Sequence, residues 1–307
     1  MKLILSAPLA ALALTLAACG GQAAPSADAP SGAGASSSKV AVVASTDVYG
    51  SIAQAVGGDA VQVTSIIDDP DKDPHEYEAD VQNQLALSKA ALVLENGGGY
   101  DDFVDTMLKA SSSKATVINA ADVSGYDQNP QDGEFNEHLW YDFPTVTKVV
   151  DTLTTDLGQA SPADAATFTA NAQSFKTRLQ GLEAEEAAIK KAHGGEGVAI
   201  TEPVPLYLLN ASGLTNKTPD AFSEAIEEDT DVSPTVLNET LKLFTAKQIK
   251  LLAYNEQTTG AQTEAVLKAA QQNAIAVVPV TETLPAGKDY LTWMGDNLQA
   301  VSDALGS

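Results

Sequence analysis

The stretch SPADAATFTANAQSFKTRLQGLEAEEAAIKKAHGG, residues 161–195, decides the fold. Ser161-Pro162-Ala163-Asp164 is a helix-start signal with proline at the first helical position. Phe168, Ala172, Phe175, Leu179, Leu182 and Ile189 then fall on one helical stripe, with Glu and Lys filling the other side, and Gly194-Gly195 ends the run. Some thirty helical residues at ~1.5 Å each would span about 45 Å. The stripe lasts only about three heptads, which argues against a coiled-coil arm and for a strut between two halves.

Both flanks alternate strand and helix. Upstream, Val40–Ala44, Val61–Ile67, Ala91–Leu94 and Ala115–Ile118 read as strands. Helical spacing lies between them at Val48, Ile52 and Val56, then at Leu85–Ala90 and Phe103–Ala110. After Asp122 comes a polar loop, and then a helix carrying Val146, Val149, Val150, Leu153 and Leu157. Downstream, Val198–Ile200, Ile249–Ala253 and Ile275–Val280 read as strands, and Leu206–Ala211, Leu237–Lys247, Thr263–Gln272 and Tyr290–Leu305 as helices. The acidic run Phe222–Asp231 reads as a solvated helix face. Short connections between alternating elements require parallel sheets. The expected fold is therefore α/β: two lobes, each a small parallel sheet flanked by helices, joined by one long rigid helix.

The chain has 307 residues and a net charge of −24. No basic patch could track phosphates, so nucleic acid is excluded as a partner. Lys2 precedes an apolar stretch, Leu3–Ala18, that is too short and too interrupted to span a membrane and reads as a secretory signal. Leu16-Ala17-Ala18-Cys19 resembles the bacterial lipobox, which implies cleavage before Cys19 and lipidation of its thiol. Cys19 is the only cysteine, so no internal disulfide can form. Gly20–Ser38 is Ala, Gly, Ser and Pro with little to bury, a disordered tether. The expected segments are a signal peptide at 1–18, the tether at 19–38, an N-terminal lobe at 39–160, the linking helix at 161–193 and a C-terminal lobe at 194–307, in a monomeric chain.

Four residues stand out for chemistry. His75 lies in Asp73-Pro74-His75-Glu76-Tyr77-Glu78, inside the densest carboxylate run of the chain, where Pro74 stiffens the turn that presents it. His138 lies in Asn136-Glu137-His138-Leu139-Trp140, just before a helix. Glu202 and Glu282 follow the ends of expected strands, the edge at which open parallel sheets bind ligands. Two imidazoles from one half and two carboxylates from the other would close on one divalent metal ion in an interlobe cleft. Glu76, Glu78, Asn255, Glu256 and Gln257 could orient them. His193 sits at the strut's C-terminal end, where the helix dipole accounts for it, and Trp140 and Trp293 read as core.

With these motifs in place, the chain from about Lys39 onward resembles the zinc and manganese solute-binding lipoproteins of bacterial ABC importers. The marks are Asp-Pro-His-Glu-Tyr-Glu at 73–78, Asn-Glu-His-Leu-Trp at 136–140, the single long helix, and Thr-Glu-Thr-Leu-Pro at 281–285. The resemblance implies metal ligands at His75, His138, Glu202 and Glu282, with the ion as transported cargo and no chemical reaction. It also implies a membrane permease as partner and a lipid-anchored place on the extracytoplasmic face. Two positions depart from the family pattern: Glu137 where proline often precedes the histidine, and Glu282 where Asp is common. Zinc and manganese stay level: the carboxylates suit manganese, while intrinsic affinity favours zinc. Two other readings remain. A secreted zinc hydrolase would use Glu282 as general base, but no His-Glu-x-x-His occurs. A binding protein for an iron chelate would need aromatic or Arg groups in the cleft, and Arg178 on the strut is the only arginine.

Overall fold

In the N-terminal lobe, β1 (Val40–Thr46), β2 (Val61–Ile67), β3 (Leu92–Glu95) and β4 (Thr116–Asn119) form an all-parallel sheet in the order β2-β1-β3-β4. The C-terminal lobe repeats the plan with β5 (Gly197–Ile200), β6 (Thr215–Asn216), β7 (Leu251–Asn255) and β8 (Ala276–Val280) in the order β6-β5-β7-β8, again all parallel. The computed structural model describes residues 38–69, 77, 80–131 and 133–306. His75, Cys19, the expected signal peptide and nearly all of the tether lie outside them.

The strand patterns explain the sheet order. The central strands β3, β5 and β7 are buried at every position, as strands covered on both faces must be. Edge strands β2, β4 and β8 mix buried and exposed positions. Pro279, which has no N–H to donate, is accommodated in the edge strand β8.

The N-terminal lobe is covered by α1 (Asp47–Gly57), α2 (Val81–Lys89), α3 (Asp102–Ser111), α4 (Ala120–Ser124) and α5 (Phe143–Ala160). Helix α5 starts where Asp142 accepts the Thr145 backbone N–H, with proline in its first turn. Helix α2 begins earlier than its apolar spacing suggests, because Asp80 accepts from the backbone of Gln82 and Asn83. Helix α4, which sequence spacing did not predict, runs from the end of β4 into the start of the expected polar loop and is capped by Asn119.

The strut is α6 (Ala165–His193), 29 residues long. It starts later than Pro162 suggests: Ser161 Oγ instead donates to Asp164 Oδ2 at 2.7 Å, closing a turn before the helix. Its buried stripe is Phe168, Ala172, Phe175, Leu179, Leu182 and Ile189, joined by Glu186. The helix packs on α1 and α5 of the first lobe and on α7 (Leu206–Ala211) and α11 (Tyr290–Leu305) of the second. One continuous apolar core therefore runs through both lobes, from Val42 and Ile52 through Trp140 and Phe175 to Trp293 and Val301.

Helices α8 (Asp220–Glu227), α9 (Pro234–Thr245) and α10 (Ala261–Gln272) complete the second lobe. Phe222 and Ile226 of α8 pack into a second core with Phe244, Leu252 and Val266. This orientation overturns the expectation of a solvated face for residues 222–227, since Ser223 and Ile226 are buried with Phe222 and Glu227 is turned into a cleft, while residues 228–231 are exposed as expected.

Candidate metal site

His138 enters the site at the start of a 3-10 turn, Leu139–Tyr141, with its side chain fully buried. The turn is held from the N-terminal lobe by Asn96, whose Nδ2 donates to the Glu137 carbonyl at 2.9 Å. Asn96 itself follows β3 in a tight Asn-Gly-Gly-Gly loop, where Asp101 accepts the backbone N–H groups of Asn96 and Gly97, each at 2.7 Å. Gly97 and Gly98 have φ of 72° and 69°, and a Cβ on either would strike Asn119 or Phe135. Glycine there lets the 135–138 segment lie against the sheet edge.

Asn136 fixes the imidazole. Its Oδ1 accepts the His138 backbone N–H at 3.1 Å and faces His138 Nδ1 at 2.8 Å. A backbone N–H can only donate, so the amide atom facing it is the oxygen, and Nδ1 must carry the ring proton. In the neutral ring the lone pair then falls on Nε2, the state a metal ligand requires. Trp140 and Tyr100 wall the ring edge-on, at centroid distances of 5.2 and 6.1 Å. The Tyr100 phenol is held neutral, its pKa driven well up by burial first and by the Glu282 and Asp101 carboxylates next.

The second lobe brings carboxylates to Nε2. Glu282 stands two residues beyond β8, with its Oε2 4.0 Å from Nε2. It is held by neighbours from β7 and the loop after it: Asn255 Nδ2 donates to Glu282 Oε1 at 2.9 Å, and Gln257 Oε1 accepts the Glu282 backbone N–H. Asn255 and Gln257 thus do the orienting expected of them; Glu256 is exposed, and Glu76 and Glu78 lie outside the described residues. Glu202 stands two residues beyond β5, buried, on the wall of the same cleft. Nearer to Nε2 than Glu282 is a residue the sequence reading assigned to solvent: Glu227 Oε1, at 3.3 Å.

The cleft measures about 860 Å³ and is lined by Glu202, Glu227, Glu282, Asn136 and Gln257 among others. Nine of the described residues lining it are Asp or Glu and none is Lys or Arg, so its field draws cations. Among the described residues no group of three or more His, Cys, Asp or Glu already closes to metal-holding spacing. The donor set fits a divalent ion nonetheless: the imidazole Nε2 faces carboxylate oxygens and makes no hydrogen bond among the described residues. His193 is remote from this constellation, 3.5 Å from Glu196 at the end of α6. Trp140 and Trp293 are core, as expected, and Arg178 lies exposed beside Asp289. No helix among the described residues is long and apolar enough to cross a membrane.

Comparison with known proteins places this geometry in context. The manganese-binding lipoprotein MntA of Halalkalibacterium halodurans is 26% identical over 182 residues, 59% of this chain and 58% of that protein. The manganese ABC transporter substrate-binding lipoprotein scaA of Streptococcus gordonii is 23% identical over 304 residues, 94% of each chain. The fold matches the periplasmic zinc binding protein TroA of Treponema pallidum with a TM-score of 0.73 at 18% identity, covering 87% of this chain and 99% of that one. Residues 42–304 match the family model of the zinc-uptake complex component A, periplasmic, and the chain belongs to that family.

Proposed function

We propose that the chain is the extracytoplasmic solute-binding component of an ABC importer, capturing one divalent transition metal ion, zinc or manganese, between its lobes and handing it to a membrane permease. The observation that carries the reading is the His138 imidazole, its Nδ1 tied to Asn136 and its Nε2 turned toward carboxylates of the opposite lobe at 3.3 and 4.0 Å. In this reading His75, His138, Glu202 and Glu282 hold the ion as cargo. Two neutral imidazoles and two carboxylates balance its charge, and the buried walls strengthen each contact by excluding water. Cys19 carries the lipid anchor, and residues 20–38 join it to the lobes.

The chain is not an enzyme in this reading. A hydrolytic zinc site needs an open position for water and a free base. Glu282 is instead clasped through one oxygen by Asn255, as a ligand is when it is held in place. An iron-chelate cleft is disfavoured because no described lining residue is Arg.

Equilibrium dialysis of the purified protein against Zn²⁺ or Mn²⁺, followed by elemental analysis, tests the proposal. One tightly held ion per chain, lost in His138→Ala and in His75→Ala, is expected. Full retention of the ion in both variants, or ester hydrolysis dependent on Glu282, would overturn it.

A further inference from the structure

We infer that Glu227, on the last turn of α8, is itself a donor to the captured ion, giving the site a third carboxylate and a preference for oxygen-rich, higher-coordinate ions such as Mn²⁺. The inference rests on the metal-capture reading of the cleft and adds a residue and a specificity to it.

The geometry begins with the spacing of two atoms. Glu227 Oε1 lies 3.3 Å from His138 Nε2. Two donors bound to one ion at ~2.0–2.2 Å stand about 2.8–3.1 Å apart at an octahedral angle and about 3.3–3.6 Å apart at a tetrahedral one. The observed distance lies at the short end of the tetrahedral range and just beyond the octahedral one. Nδ1 of the same ring is committed to Asn136, so Nε2 is the ring atom that faces this oxygen. A buried pair at this spacing is held together by a cation shared between its atoms, a proton or a metal ion, and a metal ion in that place takes both as donors.

Burial and placement support the same assignment. Both carboxylate oxygens of Glu227 are shielded from solvent, and its side chain is only 12% exposed. Helix α8 is pinned from behind by Phe222 and Ile226 in the second core, so Glu227 is directed at the cleft by packing. Glu282 reaches the same nitrogen from the end of β8, at 4.0 Å. Imidazole and oxygen donors from three separate elements thus meet at one ring edge. A four-coordinate zinc site is complete without Glu227, whereas an octahedral ion has room for a further oxygen.

Titration of the purified wild type and of Glu227→Gln, Glu227→Asp and His138→Ala with Mn²⁺ and Zn²⁺, read by competition with a chromogenic chelator, decides the matter. Expected is at least about a tenfold loss of Mn²⁺ affinity in Glu227→Gln with a change under about threefold for Zn²⁺, and loss of both ions in His138→Ala. Glu227→Asp keeps the charge and shortens the arm, so it is expected to lower Mn²⁺ affinity while the apo protein melts as the wild type does. The Mn²⁺ electron paramagnetic resonance spectrum of the loaded protein should also change in Glu227→Gln. Wild-type Mn²⁺ affinity and spectrum in Glu227→Gln and Glu227→Asp, with His138→Ala inactive, would overturn the role of Glu227 and leave metal capture standing. Wild-type binding in His138→Ala would remove both.

Discussion

The two lobes share one strand order, each a parallel sheet with its first strand flanked by the second and third, yet they deliver their site residues by different routes. In the C-terminal lobe the route is short. Glu202 and Glu282 stand two residues past β5 and β8, so the sheet itself aims them. In the N-terminal lobe, His138 lies far beyond the last strand and is aimed by amides: Asn96 from its own lobe and Asn136 within its own turn. Carboxylates on a rigid edge tolerate little adjustment; an imidazole on a tethered turn is positioned as well as its tethers allow.

The contrast can be broken most severely at His138. Changing it to Ala removes the ring, and metal affinity measured by chelator competition is expected to fall more than about a hundredfold. Asn136→Ala keeps the ring but frees Nδ1, so affinity should fall about ten- to a hundredfold, with the histidine tautomer change visible in nitrogen NMR of the apo protein. The equivalent change on the other lobe, Asn255→Ala, frees one Glu282 oxygen while β8 still aims the residue. A loss of about tenfold is expected. Should Asn255→Ala prove as damaging as Asn136→Ala, the sheet edge would not be the more self-sufficient scaffold.

The smallest effect concerns the strut that both lobes share. Glu186 is buried on α6, and its pKa is raised to about 8, by burial first and then by Glu183 and Asp142. The folded state holds this proton more tightly than the unfolded chain does. Its contribution to stability is therefore full below the ordinary carboxylate range and is lost as pH rises toward 8. Melting temperatures of Glu186→Gln should decline less than those of the wild type between pH 5 and pH 9, the two curves parting by a few degrees at the alkaline end. Parallel curves would mean that Glu186 is paired in a way that relieves its burial.

Much of this was legible in the sequence because it is written in local periods. The stripe of α6 follows helical spacing, and Glu186 occupies its vacant place between Leu182 and Ile189. Strands β2 and β5 and helix α11 announce themselves by apolar runs and by their caps. Glu282 and Glu202 were reachable because a carboxylate just past a strand lies on the binding edge. Glu227 was not, since Phe222 and Ile226 seat α8 in a core shared with Ala199 of β5 and Leu252 of β7, residues distant in sequence. Asn136 left a trace, an Asn two residues before a His, which is the spacing of an Asx turn.

Asn136 does more than aim a ring. While its oxygen holds His138, its Nδ2 donates to the Pro203 carbonyl at 3.1 Å, next to Glu202 in the facing lobe, and Tyr207 from that lobe donates to its own carbonyl at 2.9 Å. One small amide is thus geared to both jaws. Any force that parts them drags on the group that keeps the imidazole pointed, so loosening the grip and widening the gap become a single motion.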